Sequence, residues 1–227
     1  GAFFCLIPVA VIAFVWLFFG LPSMAAQRRQ HDFGSVLSLL KNRFVATGML
    51  AVGLFFMGQF ALFTYLRPFL ETVTKVDVSS LSLILLLMGL GGLVGTMIIG
   101  TFLKMGFYRT LIFIPIMMAV IAVALIMVGD IEPAAAALLG FWGLIATAAP
   151  VGWWSWVAKS MPESAEAGGG LMVAVVQLSI ALGSTMGGMM FDSIGYQATI
   201  IFSALVLIFA AWMTLQTSRQ AAHFLAQ

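Results

Sequence analysis

Charge is what this chain has least of. Ten Lys and Arg and eight Asp and Glu are spread over 227 residues, so 8% of the side chains are charged, against about 25% in an average soluble domain. Eighteen charged groups cannot clothe a soluble core of this size. The net charge of +2 offers no basic footprint for nucleic acid. One cysteine, Cys5, cannot close an internal disulfide, no Cys/His spacing suggests a metal, and no cofactor is expected; Cys5 reads as a small apolar filler. The only histidines, His31 and His223, fall in polar connecting segments. No Asp, Glu, Lys or His lies at mid-depth in any apolar run, which removes an intramembrane Ser–His or paired-acid centre and argues against an enzyme.

What is abundant is hydrocarbon. The chain is 63% hydrophobic, with twenty Phe, fifteen Met and a mean hydropathy of +1.13. Seven charge-free runs cover 1–27, 44–66, 78–103, 110–129, 133–158, 167–191 and 193–218. Each reaches the roughly 20 residues an α-helix needs to cross about 30 Å of hydrocarbon, and none alternates like a barrel strand. The expectation is an all-α integral membrane protein with seven transmembrane helices. Gly1 enters the first run with no Met and no charged flank, unlike a signal peptide, so a sequence cut from something longer is expected.

Lysine and arginine orient the spans. One set of alternate connections carries Arg28, Arg29, Lys41, Arg43, Lys104, Arg109, Lys159 and Arg219; the other carries Arg67 and Lys75. Eight against two places the amino end outside and the carboxyl tail in the cytoplasm. The connection 21–43 is long and basic, and Phe33, Val36, Leu37 and Leu40 recur in it at helical spacing. That pattern suits a helix lying on the cytoplasmic leaflet, or else a solvated linker.

A polar side chain inside a span needs a partner, because an unpaired amide in hydrocarbon costs several kcal/mol. Gln59 shares a helical face with Phe55, Leu62, Phe63 and Leu66, either as the wall of a substrate cavity or as one interhelical hydrogen bond. Arg67 precedes Pro68, and Glu71 follows one turn later as an ion-pair partner for an arginine reaching the interface. Tyr65 faces away from Gln59 and fits an interfacial belt. In 167–191, Gly170, Ala174, Gln177, Ala181, Ser184 and Gly188 form one strip of small residues on which another backbone can pack or slide. Gly89, Gly92 and Thr96, with Gly91 and Gly95, form a related strip in 78–103. In TAAPVGWWSWVAK, Pro150 and Gly152 bend the helix. At least two of Trp153, Trp154 and Trp156 then read as an interfacial belt, and Trp154 or Ser155 is open to a cavity role.

At GQFALFTYLRPF (58–69) and PVGWWSWVAKSMPESAEAGGGLMVAVVQLSIALGSTMGGMMFDSIG (150–195) the chain resembles the major facilitator superfamily. More narrowly, it looks like the bacterial drug-and-sugar efflux branch, close to the purine ribonucleoside efflux permeases. The resemblance implies twelve helices in two halves joined by a long cytoplasmic loop. The seven spans then correspond to helices six through twelve. Residues 1–20 become the last helix of a missing amino-terminal half, 21–45 the loop between halves, 46–216 the carboxyl-terminal six-helix bundle and 217–227 the cytoplasmic tail. The superfamily's loop motif matches GTFLKMGFYR through Gly100, Lys104, Gly106 and Arg109 but without its aspartate.

The function this implies is secondary active, proton-coupled efflux through the bacterial inner membrane of a small polar solute such as a purine nucleoside, sugar or drug. The proton-carrying acid would be in the other half, and the full-length antiporter would work as a monomer in lipid with no nucleic-acid partner. Gln59, Phe63, Arg67, Trp154 and Gln177 are the expected substrate-binding residues. A seven-helix receptor is the alternative. A retinal form is excluded, since Lys41, Lys75, Lys104 and Lys159 lie at span ends or in loops.

Overall fold

The computed structural model describes residues 2–20 and 33–224, without a strand among them. The chain divides into two units, 1–31 and 32–227, and each is taken by itself. The first holds one helix, α1 (Ala2–Gly20), with Pro8 inside it. The expected span 1–27 coincides with α1 over 2–20, and its remainder lies outside the described residues.

The second unit begins with α2 (Phe33–Ser38) and a 3-10 turn, Leu39–Lys41. A short helix therefore occupies the basic connection where the Phe33–Leu40 spacing placed one. Asn42 starts α3 (Arg43–Phe63), its Oδ1 accepting from the Phe44 N–H at 3.0 Å, as a good N-cap does. Rather than stopping at 66, this span continues beyond a break at Thr64–Tyr65 as α4 (Leu66–Phe69) and a π-helical turn, Leu70–Thr74. Pro68 has no N–H for the Thr64 carbonyl, so the regular ladder cannot run through. Lys75, left-handed at φ 58°, closes the turn.

Four more long helices precede the tail: α5 (Val78–Met105), α6 (Phe107–Val128), α7 (Glu132–Ser160) and α8 (Ala165–Ser193). The last is α9 (Tyr196–Phe224). Among the described residues six helices, from the one beginning at Arg43 to the one beginning at Tyr196, are long and apolar enough to cross a membrane. An all-helical fold with six such spans is that of an integral membrane protein.

Packing defines the architecture. The extensive pairings are α5 with α7, α3 with α8 and α9, and α6 with α9 and α7. Exchanging α3 with α7, α5 with α8 and α6 with α9 maps this set onto itself. Three helices per repeat is an odd number, so the second repeat runs opposite to the first, an inverted repeat. Antiparallel contacts confirm the directions: Phe44 at the start of α3 meets Trp156 near the end of α7, and Lys159 lies over Phe107 at the start of α6. One end of the bundle thus carries Lys41, Arg43, Lys104, Arg109, Lys159 and Arg219 with Glu163 and Glu166. The opposite end carries Glu71, Asp77, Asp130, Glu132 and Asp192 with Arg67 and Lys75.

The core corrects two sequence expectations. Trp153 and Trp156 are not belt residues, being 1% and 0% exposed and edge-to-face at 6.0 Å. Gly48 makes this possible, since any side chain there would occupy the Trp156 ring's place. Tyr65 likewise turns inward, stacking on Phe191 at 5.4 Å with its hydroxyl against Gly188.

Candidate functional site

Two seams of glycine position everything else. Along α3 and α8, a methyl on Gly183 or Gly187 would strike the backbone of Met57 or Ala61, and one on Gly53 would lie 3.0 Å from Ser179 Oγ. In a membrane, close backbone approach gains dispersion and short polar contacts rather than hydrophobic burial. Thr64 and Ser184 accordingly share a hydroxyl–hydroxyl bond of 2.8 Å. From behind, α9 adds Ser203 Oγ donating to the Gly58 carbonyl at 2.6 Å and Thr199 Oγ1 donating to Gly187 at 2.8 Å.

The buried stripe of α8 is therefore Gly168, Met172, Ser179, Gly183 and Gly187. The strip expected to pack is mostly the opposite face. Gly170, Ala174, Gln177 and Ala181 are exposed, and a methyl on Gly170 would meet nothing within 4 Å. Ser184 and Gly188 alone of that strip reach α3, through Thr64 and Tyr65.

Where α8 diverges from α3 and α7, a cavity of about 120 Å³ opens, lined by Phe56, Pro150, Trp153, Trp154, Met172, Val173, Val176 and Gln177. Pro150 cannot donate to the Ala146 carbonyl, which loosens α7 at this level. Trp153 forms a buried wall, whereas Trp154 is 47% exposed and leans on Gly169. Gln177 makes no hydrogen bond among the described residues, so its amide is free to serve a solute. Ser155 is not, because its hydroxyl donates to the Val151 carbonyl at 2.8 Å.

Of the five expected site residues, the structure brings Gln177 and Trp154 into one cavity. Gln59 lies one turn from Phe56, but its Oε1 is buried without a partner. Leaving an acceptor unpaired costs about 1–3 kcal/mol. Its expected wall divides: Phe55, Leu62 and Leu66 are core, while Phe63 is 40% exposed. Phe63 ends an aromatic ladder up α3, with Phe56–Phe60 at 6.5 Å and Phe60–Phe63 at 5.6 Å. Arg67 is outside the cavity, its Nε 2.7 Å from Glu71 Oε1 with the side chain 72% exposed. Such a pair is worth little.

Phe56, Met172, Val173 and Val176 were not anticipated. Phe56 precedes Gln59 by one helical turn, a spacing that would have revealed it. Among the described residues no three His, Cys, Asp or Glu side chains come together as a metal centre would require.

The fold defines a multi-pass helical membrane protein, and the comparisons add a resemblance to efflux transporters. The chain is 34% identical over 203 residues, 89% of its length, to the purine ribonucleoside efflux pump NepI of Salmonella paratyphi C and of Salmonella choleraesuis, covering 51% of each. It is 54% identical over 225 residues, 98% of its length, to a protein of Pseudomonas aeruginosa named transcription regulatory protein OpdE, covering 56% of it. The chain spans about half the length of the curated relatives it matches. No family model matches it.

Proposed function

We propose that the chain is the carboxyl-terminal half of a major facilitator exporter, and that the cavity bounded by Phe56, Trp154 and Gln177 is its half of a solute site. The observation that carries this reading is the open face of α8: an unbonded amide beside an exposed indole, in a cavity too small to be complete. Small-molecule sites are about 300–1,000 Å³, against about 120 Å³ here. A second set of helices facing α8 would supply the remaining walls, and the inverted repeat supports this, since rocking of two such bundles alternates access to a central site.

The amide and indole suit a planar, hydrogen-bonding solute, and a purine ribonucleoside fits both that chemistry and the name of the 34% relative. Gln59, Phe63 and Arg67 belong to the proposal as residues that reach the solute when the halves close. The domain limits 1–20, 21–45, 46–216 and 217–227, the cytoplasmic placement of the basic end and coupling to a proton carried by the other half complete it. The test is efflux by the full-length protein in everted inner-membrane vesicles, offered purine ribonucleosides, sugars and amphiphilic drugs. Saturable, gradient-dependent accumulation of a purine ribonucleoside is expected, and its absence for every compound would refute the reading.

The name of the 54% relative favours a second role, in which the protein signals from the membrane to a transcription system. A Gln177→Leu variant whose weakened export leaves its restoration of a responsive promoter undiminished would establish that role over export.

A further inference from the structure

Sharing no lining residue with the solute cavity, a groove of about 340 Å³ is enclosed by α5, α6 and α7. Its walls include Ile98, Phe102, Phe113, Leu144 and Ile145, and its only charged member is Arg109. Ile98, Phe102 and Phe113 are 39%, 50% and 58% exposed, so the groove opens sideways out of the bundle. Thr110 also lines it, but its hydroxyl donates back to the Phe102 and Gly106 carbonyls at 3.0 and 2.9 Å. The interior therefore presents hydrocarbon and no free donor. A polar solute would lose its water there for nothing, and a hydrocarbon chain would not.

The mouth has the opposite character. Arg109 stands at the basic end of the bundle, with its aliphatic stem over Gly106, where a methyl would lie 3.3 Å from Arg109 Cδ. Among the described residues it has no acidic partner, the one ion pair being Arg67–Glu71. The neighbouring Lys159 is engaged with the Phe107 ring at 4.2 Å. From Gly95 to Phe102 the groove follows α5 for about 10 Å at 1.5 Å per residue, two-thirds of a leaflet of about 15 Å. A guanidinium at headgroup height above a dry, laterally open slot matches one ligand chemistry, a phosphate on an acyl chain.

We propose that this groove seats one acyl chain of an anionic phospholipid from the leaflet at the basic end, with Arg109 on its phosphate. The site depends on the chain spanning a membrane and not on which solute is moved. The test is native mass spectrometry of the delipidated full-length protein titrated with phosphatidylglycerol or phosphatidylcholine of identical chains. One retained phosphatidylglycerol, preferred about fivefold, is expected, since one basic residue near an anionic headgroup contributes on that order. Arg109→Gln should bring the preference to parity, Arg109→Lys should keep it, and Ile98→Trp, which fills the lateral opening, should lower retention of both lipids. Unchanged preference in Arg109→Gln or unchanged retention in Ile98→Trp would overturn the proposal. So would failure of an apolar maleimide to reach a cysteine at Phe113 in the delipidated protein, since another protein segment would then occupy the groove.

Discussion

The seam of α3 with α8 and the seam of α5 with α7 are built by the same means and used differently. Both bring backbones together over glycine: Gly183 and Gly187 against Met57 and Ala61 in one, Gly91, Gly95 and Gly143 against Gly140, Leu144 and Met88 in the other. In the second seam the hydroxyls bond their own helix, Thr96 to Gly92 and Thr147 to Gly143. In the first they cross between helices, from Thr64 to Ser184 and from α9 to Gly58 and Gly187. Outside the first seam lies a cavity with a free amide, and outside the second a hydrocarbon slot. Glycine sets how near two helices come; the polar side chains around the seam decide what its outer surface can bind.

The most severe way to break the comparison is to add a methyl to each seam. Gly183→Ala and Gly95→Ala each force a Cβ into a facing backbone, and overpacking of that kind costs about 1–3 kcal/mol. Thermal unfolding of the full-length protein in detergent should show both losses. Gly89→Ala, whose methyl meets nothing within 4 Å, should leave stability equal or slightly higher. Equal loss at all three positions would mean that the seams are not special.

A smaller effect separates the outer surfaces. Gln177→Leu removes a hydrogen bond to solute of about 0.5–1.5 kcal/mol, which predicts a two- to tenfold weaker apparent affinity at unchanged abundance. Thr147→Val, on the other seam, should leave transport affinity alone. If Gln177→Leu lowers abundance and spares affinity, the amide packs rather than binds.

Next comes the polar character of the seams themselves. Ser203→Ala deletes a buried interhelical bond and should cost about 0.6 kcal/mol, the usual size within a bilayer. Thr96→Val deletes only a bond within α5 and should cost less. Equal costs would show that the hydroxyl crossing from α9 adds nothing to its contact with α3.

The smallest effect distinguishes how α5 and α8 begin. Asp77 caps α5, accepting the Ser80 N–H at 2.8 Å, and that bond, followed by the Ser80 hydroxyl, holds its carboxyl below the ordinary value of 3.8. A lowered folded pKa means that the ionised cap stabilises α5 above pH about 3.8, and that this contribution fades as pH falls through the lower folded value. Ser164 makes no such cap bond for α8. Amide-exchange protection at Ser80 should fall on acidification below that value, while the first turn of α8 shows no matching change. A matching loss in α8 would remove Asp77 as the cause.

Much of the helical layout was legible in the chain. The charge-free runs from 44 to 218 overlap the six long apolar helices, because twenty uncharged residues have few alternatives to a helix in lipid. Arg67 and Glu71 were paired correctly by their spacing, which a helix turns directly into proximity. Which face of α8 packs was not legible. Gly168, Ser179, Gly183 and Gly187 recur at helical spacing as regularly as Gly170, Ala174, Gln177 and Ala181 do, so periodicity cannot choose between the two strips. The tryptophans were misplaced for a related reason, since the Gly48 that admits Trp156 lies more than a hundred residues away.

The sequence by itself determined that the chain lives in hydrocarbon, roughly which stretches are its spanning helices, and which connections hold the basic residues. These follow from local composition, because a bilayer penalises unpaired backbone and charge residue by residue. Only the tertiary structure decided that Gln177 and Trp154 share a cavity with Phe56 while Gln59, half-buried, lies outside it. Those outcomes depend on the rotation of each helix about its axis, which is set by the glycines and hydroxyls of its neighbours and not by its own pattern.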